Sequence, residues 1–209
     1  LGAGSSNAMA ADILPDFTLN TTVFGGPNAA LVADKFTGNY NEVLTVTSAT
    51  TFSTVAYYDL GQIVANDGTT PYASFLTGLG SNYLLYALFN ASGTFAPNVS
   101  GGFDFNSTSG SFNLYVDPSK NSDPKVLPAT GLGTVTVPNT GDDSLLASAV
   151  LKFGTGRSGT GLAQGDFGLL FEPLFLTATG GTYFTAPRPF YLAAILKGPF
   201  NPFHPTEAH

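Results

Sequence analysis

From residue 12 the chain alternates. Ile13, Pro15, Phe17, Leu19, Thr21 and Val23 hold the odd positions and are mostly apolar, while Asp12, Asp16, Thr18, Asn20 and Thr22 between them are polar. A period of two sends successive side chains to opposite faces of an extended strand, one face buried and one wet. Gly25-Gly26-Pro27-Asn28 then breaks the run, as turn-forming residues do. The texture recurs in residues 43–47 (VLTVT), 52–58 (FSTVAYY), 133–137 (GTVTV), 145–153 (LLASAVLKF), 167–176 (FGLLFEPLFL), 182–184 (TYF) and 190–196 (FYLAAIL). Residues 103–105 and 112–116 alternate across a Ser/Thr/Gly stretch and read as a hairpin. Residues 83–89 (YLLYALF) are almost wholly apolar and fit a strand covered on both faces or one buried helical turn. The sum is about ten to twelve short strands, as in sandwiches and barrels.

Helix signals are weak. The best candidate, residues 145–151 behind the N-cap-like Asp142-Asp143-Ser144, is too short to stand alone. Charged residues make up 10% of the chain, with 25 Gly and 14 Pro, against roughly 25% charged residues in an average globular protein. Helical bundles, coiled coils and highly charged disordered chains are thereby excluded. The expectation is an all-β fold, an antiparallel β sandwich or jelly-roll-like fold with little helix, over one β domain at residues 11–209. Its core should contain Val46, Phe52, Leu85, Leu114, Val116, Leu146, Leu170 and Tyr191. Residues 61–82, 118–132 and 154–166 read as exposed loops. Residues 1–10 (LGAGSSNAMA) read either as a signal-peptide remnant, with Ala8-Met9-Ala10 as the cleavage pattern, or as a vector-derived leader. No stretch of ~20 apolar residues fits a transmembrane helix.

Few side chains suit catalysis. The two histidines, His204 and His209, lie in the last six residues, so a Ser-His-Asp site or a histidine-ligated metal has no internal His to build on. The glutamates are Glu42, at a strand edge, Glu172, before Pro173, and Glu207, in the tail. None makes the carboxylate pair of a glycosidase. Asp142-Asp143 offers paired oxygens, but reads as a polar turn rather than a calcium loop. The glycines of 78–80 (GLG) and 154–159 (GTGRSG) read as β-turns, because phosphate loops open a helix and none follows. The chain lacks cysteine, hence disulfides and thiolate metal sites. No enzyme, cofactor or metal is expected.

The net charge is -7, and the seven basic residues are scattered. Nucleic acid is excluded as a partner, since it needs clustered Lys and Arg, and an anionic membrane surface is disfavoured for the same reason. Rings are plentiful, with 18 Phe and 9 Tyr but no Trp. A row of exposed Tyr or Phe on one sheet face would suit carbohydrate; Tyr57 and Tyr58 point to opposite faces of a strand, which leaves one of them to be exposed. Sequons at Asn20, Asn90, Asn98 and Asn106 carry little meaning in so Asn/Ser/Thr-rich a chain.

Several segments together carry a resemblance. They are Leu14-Pro15-Asp16-Phe17-Thr18, Ala33-Asp34-Lys35-Phe36-Thr37-Gly38-Asn39-Tyr40-Asn41-Glu42, Gly78-Leu79-Gly80-Ser81-Asn82-Tyr83, Leu85-Tyr86-Ala87-Leu88-Phe89, Leu114-Tyr115-Val116-Asp117-Pro118, Asn139-Thr140-Gly141-Asp142-Asp143 and Pro189-Phe190-Tyr191. In this order they resemble the flocculation-associated PEP-CTERM proteins (PepA-like), over most of residues 11–205. The resemblance implies export by a Gram-negative, exopolysaccharide-producing bacterium, an extracellular or cell-surface location, and a part in floc or biofilm formation. It implies no catalytic residues. The family ends in a further strand, a Pro-Glu-Pro sorting segment and an apolar helix. This sequence stops at His209 without them, as a processed or trimmed form would.

The expected function is therefore that of an exported structural or adhesive protein of a bacterial extracellular matrix. Its expected partners are itself and exopolysaccharide, and an exopolysaccharide-binding module is the alternative. Self-assembly into filaments would proceed by strand donation, with Ile13, Phe17, Leu19 and Val23 as polymer contacts. The competing reading makes residues 12–23 simply the first strand of their own domain.

Overall fold

The computed structural model describes residues 15–159 and 165–198. They form one antiparallel sheet of nine strands, β1 (Phe17–Leu19), β2 (Leu31–Val46), β3 (Thr51–Ala65), β4 (Leu84–Pro97), β5 (Phe103–Asp117), β6 (Ser144–Ser158), β7 (Gly165–Leu176), β8 (Phe184–Ala186) and β9 (Phe190–Gly198). The spatial order is β8-β1-β2-β3-β4-β5-β6-β7-β9. The fold is all-β with little helix. A 3-10 turn at Thr21–Phe24 and two short helices, α1 (Ser74–Thr77) and α2 (Ala178–Tyr183), interrupt the strands.

In place of the two separate sheets of a sandwich, one sheet curls over its own apolar face. On a flat sheet, strands four places apart would lie about 19 Å from one another. Yet the ring centroids of Phe52 on β3 and Phe167 on β7 are 6.2 Å apart, and Phe105 on β5 touches both, at 5.3 and 5.1 Å. The alternation supplies this inner face. Phe52, Ala56 and Leu60 of β3, Leu85, Ala87 and Phe89 of β4, and Phe112, Leu114 and Val116 of β5 are all buried in one cluster. One mouth of the curl is plugged by rings from the 3-10 turn, from α2 and from the residue just ahead of β4. Phe24 packs on Tyr83 and Tyr183, whose hydroxyls meet at 2.9 Å with both side chains buried.

β8 and β9 stand at opposite ends of the strand order, yet only residues 187–189 separate them in sequence. Each is antiparallel to its neighbour, so the pairings make them run in the same direction. The segment is in effect one strand that changes partner, from β1 to β7, across Pro187-Arg188-Pro189. Phe184 and Phe190 pack at 5.7 Å across the change, and Arg188 Nη2 donates to Gly181 O and Phe184 O. β1 covers only Leu31, Val32 and Ala33 of β2, and beyond Ala33 no second neighbour of β2 is found among the described residues.

Of the expected core, Phe52, Leu85, Leu114, Val116 and Leu146 are buried. Leu170 is half-buried, because the inner face of β7 falls to Phe167, Leu169 and Phe171. The side chain of Tyr191 lies outside the described residues. Val46 is 42% exposed. It pairs with the buried Phe52 and so has the inward parity, but it is the last residue of β2, at the open edge.

Three further expectations are corrected. Residues 103–105 and 112–116 belong to the single strand β5. The Ser/Thr/Gly stretch between them is absorbed by an irregularity at Ser92/Gly93 and a Ser92–Ser109 hydroxyl contact of 2.7 Å, and the hairpin turn comes earlier, at residues 98–102. Residues 154–158 are no turn but the end of β6. A Cβ on Gly156 would meet the Phe167 ring at 2.5 Å, and one on Gly154 would meet Leu169 Cδ2 at 2.4 Å. These glycines let core side chains lie flat on the backbone. The alternation of residues 12–23 ends at Leu19, where Asn20 caps the 3-10 turn and Gly25, at φ 80, closes it.

The core assignment predicts that Phe52→Ala destabilises the protein by about 3–5 kcal/mol, since Phe52 bridges the two arms of the curl. Equilibrium urea denaturation checks it. A midpoint equal to wild type would mean that the Phe52 contacts do not hold the curl closed.

Candidate functional site

β5 and β6 are neighbours, with Val116 opposite Ser144, and a two-residue hairpin would suffice to join them. Instead residues 118–143 leave the sheet edge, cross its outer face and return. Gly131 is the far anchor of this strap. Its N–H donates to Thr45 Oγ1 at 2.9 Å on β2, and its carbonyl accepts from Ser53 Oγ at 2.8 Å on β3. A Cβ at Gly131 would lie 2.2 Å from Ser53 O, so only glycine fits this approach. Val126 and Thr136 bond each other's backbone at 2.9 and 2.8 Å and make the strap a small ribbon.

Beneath the strap lies a polar, aromatic stretch of the outer face. Tyr57 and Asp59 of β3, Tyr86 of β4 and Tyr115 of β5 share it, with Asp59 opposite Tyr86 and Tyr86 opposite Tyr115. The Tyr86 and Tyr115 rings stack at 5.2 Å. Lys125 lies over Tyr86 and Tyr57, its side chain 2% exposed and its Nζ 4.7 Å from the Tyr86 ring centroid and 5.8 Å from that of Tyr57. Nζ also meets Asp59 at 2.8 Å and Asp123 at 2.5 Å. Burial alone would lower the lysine pKa, but the two aspartates outweigh it and raise it, so the ammonium stays charged. The tyrosine row exists, then, with Tyr86 buried under Lys125 and Tyr57 and Tyr115 half-buried beside it.

The strap's two ends meet in a set of carboxylates. Asp117, fully buried at the end of β5, accepts from Lys120 N at 2.6 Å and Ser122 N at 2.9 Å. Asp142 accepts from Ser119 N at 3.1 Å, and Asp143 Oδ2 accepts from Tyr86 Oη at 2.6 Å and Ser122 Oγ at 2.7 Å. Oxygens of Asp117, Asp142 and Asp143 lie within 4.8 Å of one another. The Tyr86 hydroxyl is pushed well above its ordinary value, by burial first and by the Asp143 carboxylate next.

Glu42 is the residue that sequence reasoning misplaced. It is no strand-edge residue but sits mid-β2, on the inner face and 6% exposed, opposite Ala56. Thr54 Oγ1 is within hydrogen-bond reach of both Glu42 Oε1 and Val43 O. One hydroxyl hydrogen cannot serve both. At any one moment the Thr54 hydroxyl donates to Glu42 Oε1 or to Val43 O. Burial raises the Glu42 pKa above its ordinary value, against the opposing effect of the hydrogen bond donated by Thr54, and Tyr40 on the same face is pushed up to about 12. The signal was present in the parity of Tyr40, Glu42 and Leu44.

The segment expected to make polymer contacts divides. Phe17 and Leu19 lie in β1, Leu19 fully buried and Phe17 stacked on Phe36 at 5.2 Å. Val23 is in the 3-10 turn and 40% exposed. Ile13, the leader at residues 1–10, Glu207 and both histidines lie outside the described residues. Glu172 pairs with Lys152 at 3.0 Å. Among the described residues no helix is long and apolar enough to cross a membrane. No family model, curated protein or solved structure matches the chain.

Two outcomes follow from these environments. Lys125→Met should destabilise by about 2 kcal/mol, less than for a fully buried pair because both aspartates keep contact with water; it should also open the strap to limited proteolysis. Urea denaturation and the cleavage sites check this, and protection of residues 118–143 as in wild type would contradict it. For Glu42, the folded pKa lies above the unfolded value near 4.5. The native state therefore binds more protons, and stability is full below that value and falls as pH rises through the folded pKa. Glu42→Gln should flatten that decline, measured by denaturation between pH 4 and pH 9. An equally steep decline in the variant would place the titrating group elsewhere.

Proposed function

We propose that this chain is an exported, non-enzymatic, structural or adhesive protein of a bacterial extracellular matrix, acting at the surface of a Gram-negative cell in floc or biofilm formation. The family reading rests on the resemblance to the flocculation-associated PEP-CTERM proteins. The single observation supporting self-association is the edge of β2. Among the described residues its backbone groups beyond Ala33 face no second strand, and proteins seldom leave so long an edge uncovered.

The register of β1 suggests how such an edge is filled. Phe17 lies opposite Ala33 and Leu19 opposite Leu31. An extended arm ahead of Phe17 would therefore run along β2 past Ala33, with Ile13 on the same face as Phe17 and Leu19. Exchanged between copies, the arm through Leu19 becomes the donated strand. The turn at Thr21–Phe24, with Val23, becomes the hinge. Because donor and acceptor surfaces differ, the contact is head-to-tail and propagates unless its rotation closes a ring. The exopolysaccharide alternative calls for a row of open rings on one face; Tyr86 is buried, and the exposed Phe75, Phe153 and Phe175 lie on α1, β6 and β7.

Multi-angle light scattering across a concentration series tests the reading. The full chain should grow into polymers, and a variant lacking residues 1–19 should remain folded and cap intact subunits. A full chain that stays strictly monomeric, with the deletion variant insoluble, would end the proposal.

A further inference from the structure

The end of the sheet that the Phe24, Tyr83 and Tyr183 rings close from within carries apolar side chains on its outside. The 3-10 turn, α1 and α2 lie in the β1–β2, β3–β4 and β7–β8 connections, and the antiparallel pairings bring all three to that end. The first two are fastened to each other. Asn82 Nδ2 donates to Gly25 O at 2.6 Å, Asn28 Nδ2 donates to Leu76 O, and a Cβ on Gly78 would lie 2.8 Å from Gly26 Cα. Val23 on the turn and Phe75 and Leu76 on α1 are nevertheless exposed, Phe75 by 75%. A second observation is independent of this exposure. Residues 17–33, 68–103 and 173–187 contain no Asp, Glu, Lys, Arg or His, so all three connections are uncharged. Their polar side chains bond inward. Thr22 Oγ1 donates to Asn20 Oδ1 at 2.6 Å, Thr77 Oγ1 to Ser74 O at 3.3 Å, Ser81 Oγ to Gly78 O at 3.1 Å and Thr182 Oγ1 to Thr179 O at 2.7 Å. From the rim, Lys35, Lys120 and Arg188 donate to the carbonyls of Gly68, Ser81 and Gly181. A surface whose polar groups already bond one another loses little on leaving water.

We propose that this end of the sheet docks on a zwitterionic lipid surface, with Phe75, Leu76 and Val23 entering the acyl boundary. Neighbouring exposed apolar side chains mark contacts with proteins or with membranes. The missing charge separates the two. A protein partner is held in register by directional polar contacts, and the polar side chains here are bonded within their own loops. A lipid layer asks only for apolar side chains with no ionised group beside them to desolvate. The sign of the nearest charges selects the headgroup. The β5–β6 connection reaches the same end and brings Asp117, Asp142 and Asp143 to it. Those carboxylates oppose an anionic surface and leave a zwitterionic one accessible. Such docking uses neither the edge of β2 nor the family resemblance, so it stands independently of the proposed matrix function.

The test uses the full chain and vesicles of phosphatidylcholine alone. Wild type should float with the vesicles in a density gradient, to the same extent at low and high salt, because the contact is apolar. Phe75→Ser with Leu76→Ser, at two exposed positions, should reduce the bound fraction about tenfold or more while leaving the circular dichroism spectrum unchanged. With no Trp in the chain, Phe75→Trp places a single reporter at the contact. Its emission should move to shorter wavelength on the vesicles and be quenched by brominated acyl chains. Val99→Trp, in the β4–β5 hairpin at the opposite end of the sheet and almost fully exposed, should show neither effect. Wild type that stays out of the vesicle band up to about 10 mM lipid would overturn the proposal. So would an equal emission shift in Val99→Trp, or binding that appears only with phosphatidylglycerol in the vesicles. An emission shift of Phe75→Trp that grows with protein concentration in the absence of vesicles would also overturn it, by assigning the surface to a second copy of the chain.

Discussion

The architecture depends on the change of partner at Pro187-Arg188-Pro189. Seven long strands, β2 to β7 and β9, form an uninterrupted antiparallel meander. An odd number of such strands leaves the first and last parallel, so β2 and β9 cannot close the sheet by a further antiparallel ladder. The chain resolves this by placing β8 on β1, which sits on β2, and then crossing to β7 as β9. Proline suits the crossing because it has no N–H to leave unpaired where one ladder has ended and the next has not begun. The closure is local: it holds one mouth of the curl shut, while among the described residues β2 has no second partner beyond Ala33. The plugged mouth follows from that asymmetry.

Much of this was legible in the sequence, and the parts that were not share a cause. Parity along a strand is a local property, so Phe52, Leu85, Leu114, Val116 and Leu146 could be assigned to the core from neighbouring residues alone. How many sheets those strands form is set by which strand lies beside which. Alternation is identical in a sandwich and in one curled sheet, so nothing in the residues separated the two. Val46 shows the limit at a single position. Its parity is right and its partner Phe52 is buried, but its exposure depends on what lies beyond the edge of β2.

The glycine-rich and serine-rich stretches misled in the opposite direction. Gly154-Thr155-Gly156 carries turn composition and forms strand, because Phe167 and Leu169 on the adjacent strand occupy the space that side chains would take. The Ser107 to Gly110 stretch likewise continues β5, since a bulge can consume a small polar residue without reversing the chain. A glycine that makes room for a distant side chain looks the same in sequence as a glycine that makes a turn. The strap was hidden for a related reason. Residues 118–132 read as a loop, but their docking on Thr45, Ser53 and Tyr86 comes from long-range contacts made by Gly131 and Lys125, two residues with no local pattern.

Charge scarcity gives the outer face its logic. With 14 acidic residues against 7 basic ones, some carboxylates must go without a cationic partner. The side chains of Lys35, Lys125, Lys152 and Arg157 are each committed to a carboxylate, and Lys120 and Arg188 to backbone carbonyls. The excess negative charge is not spread evenly. Lys125 is spent on Asp59 and Asp123, which remain in contact with water and could be solvated without it. Asp117, with no exposure at all, is left to backbone N–H groups. Placing the buried cation beside wet carboxylates and the buried carboxylate beside none is a poor arrangement for an isolated chain.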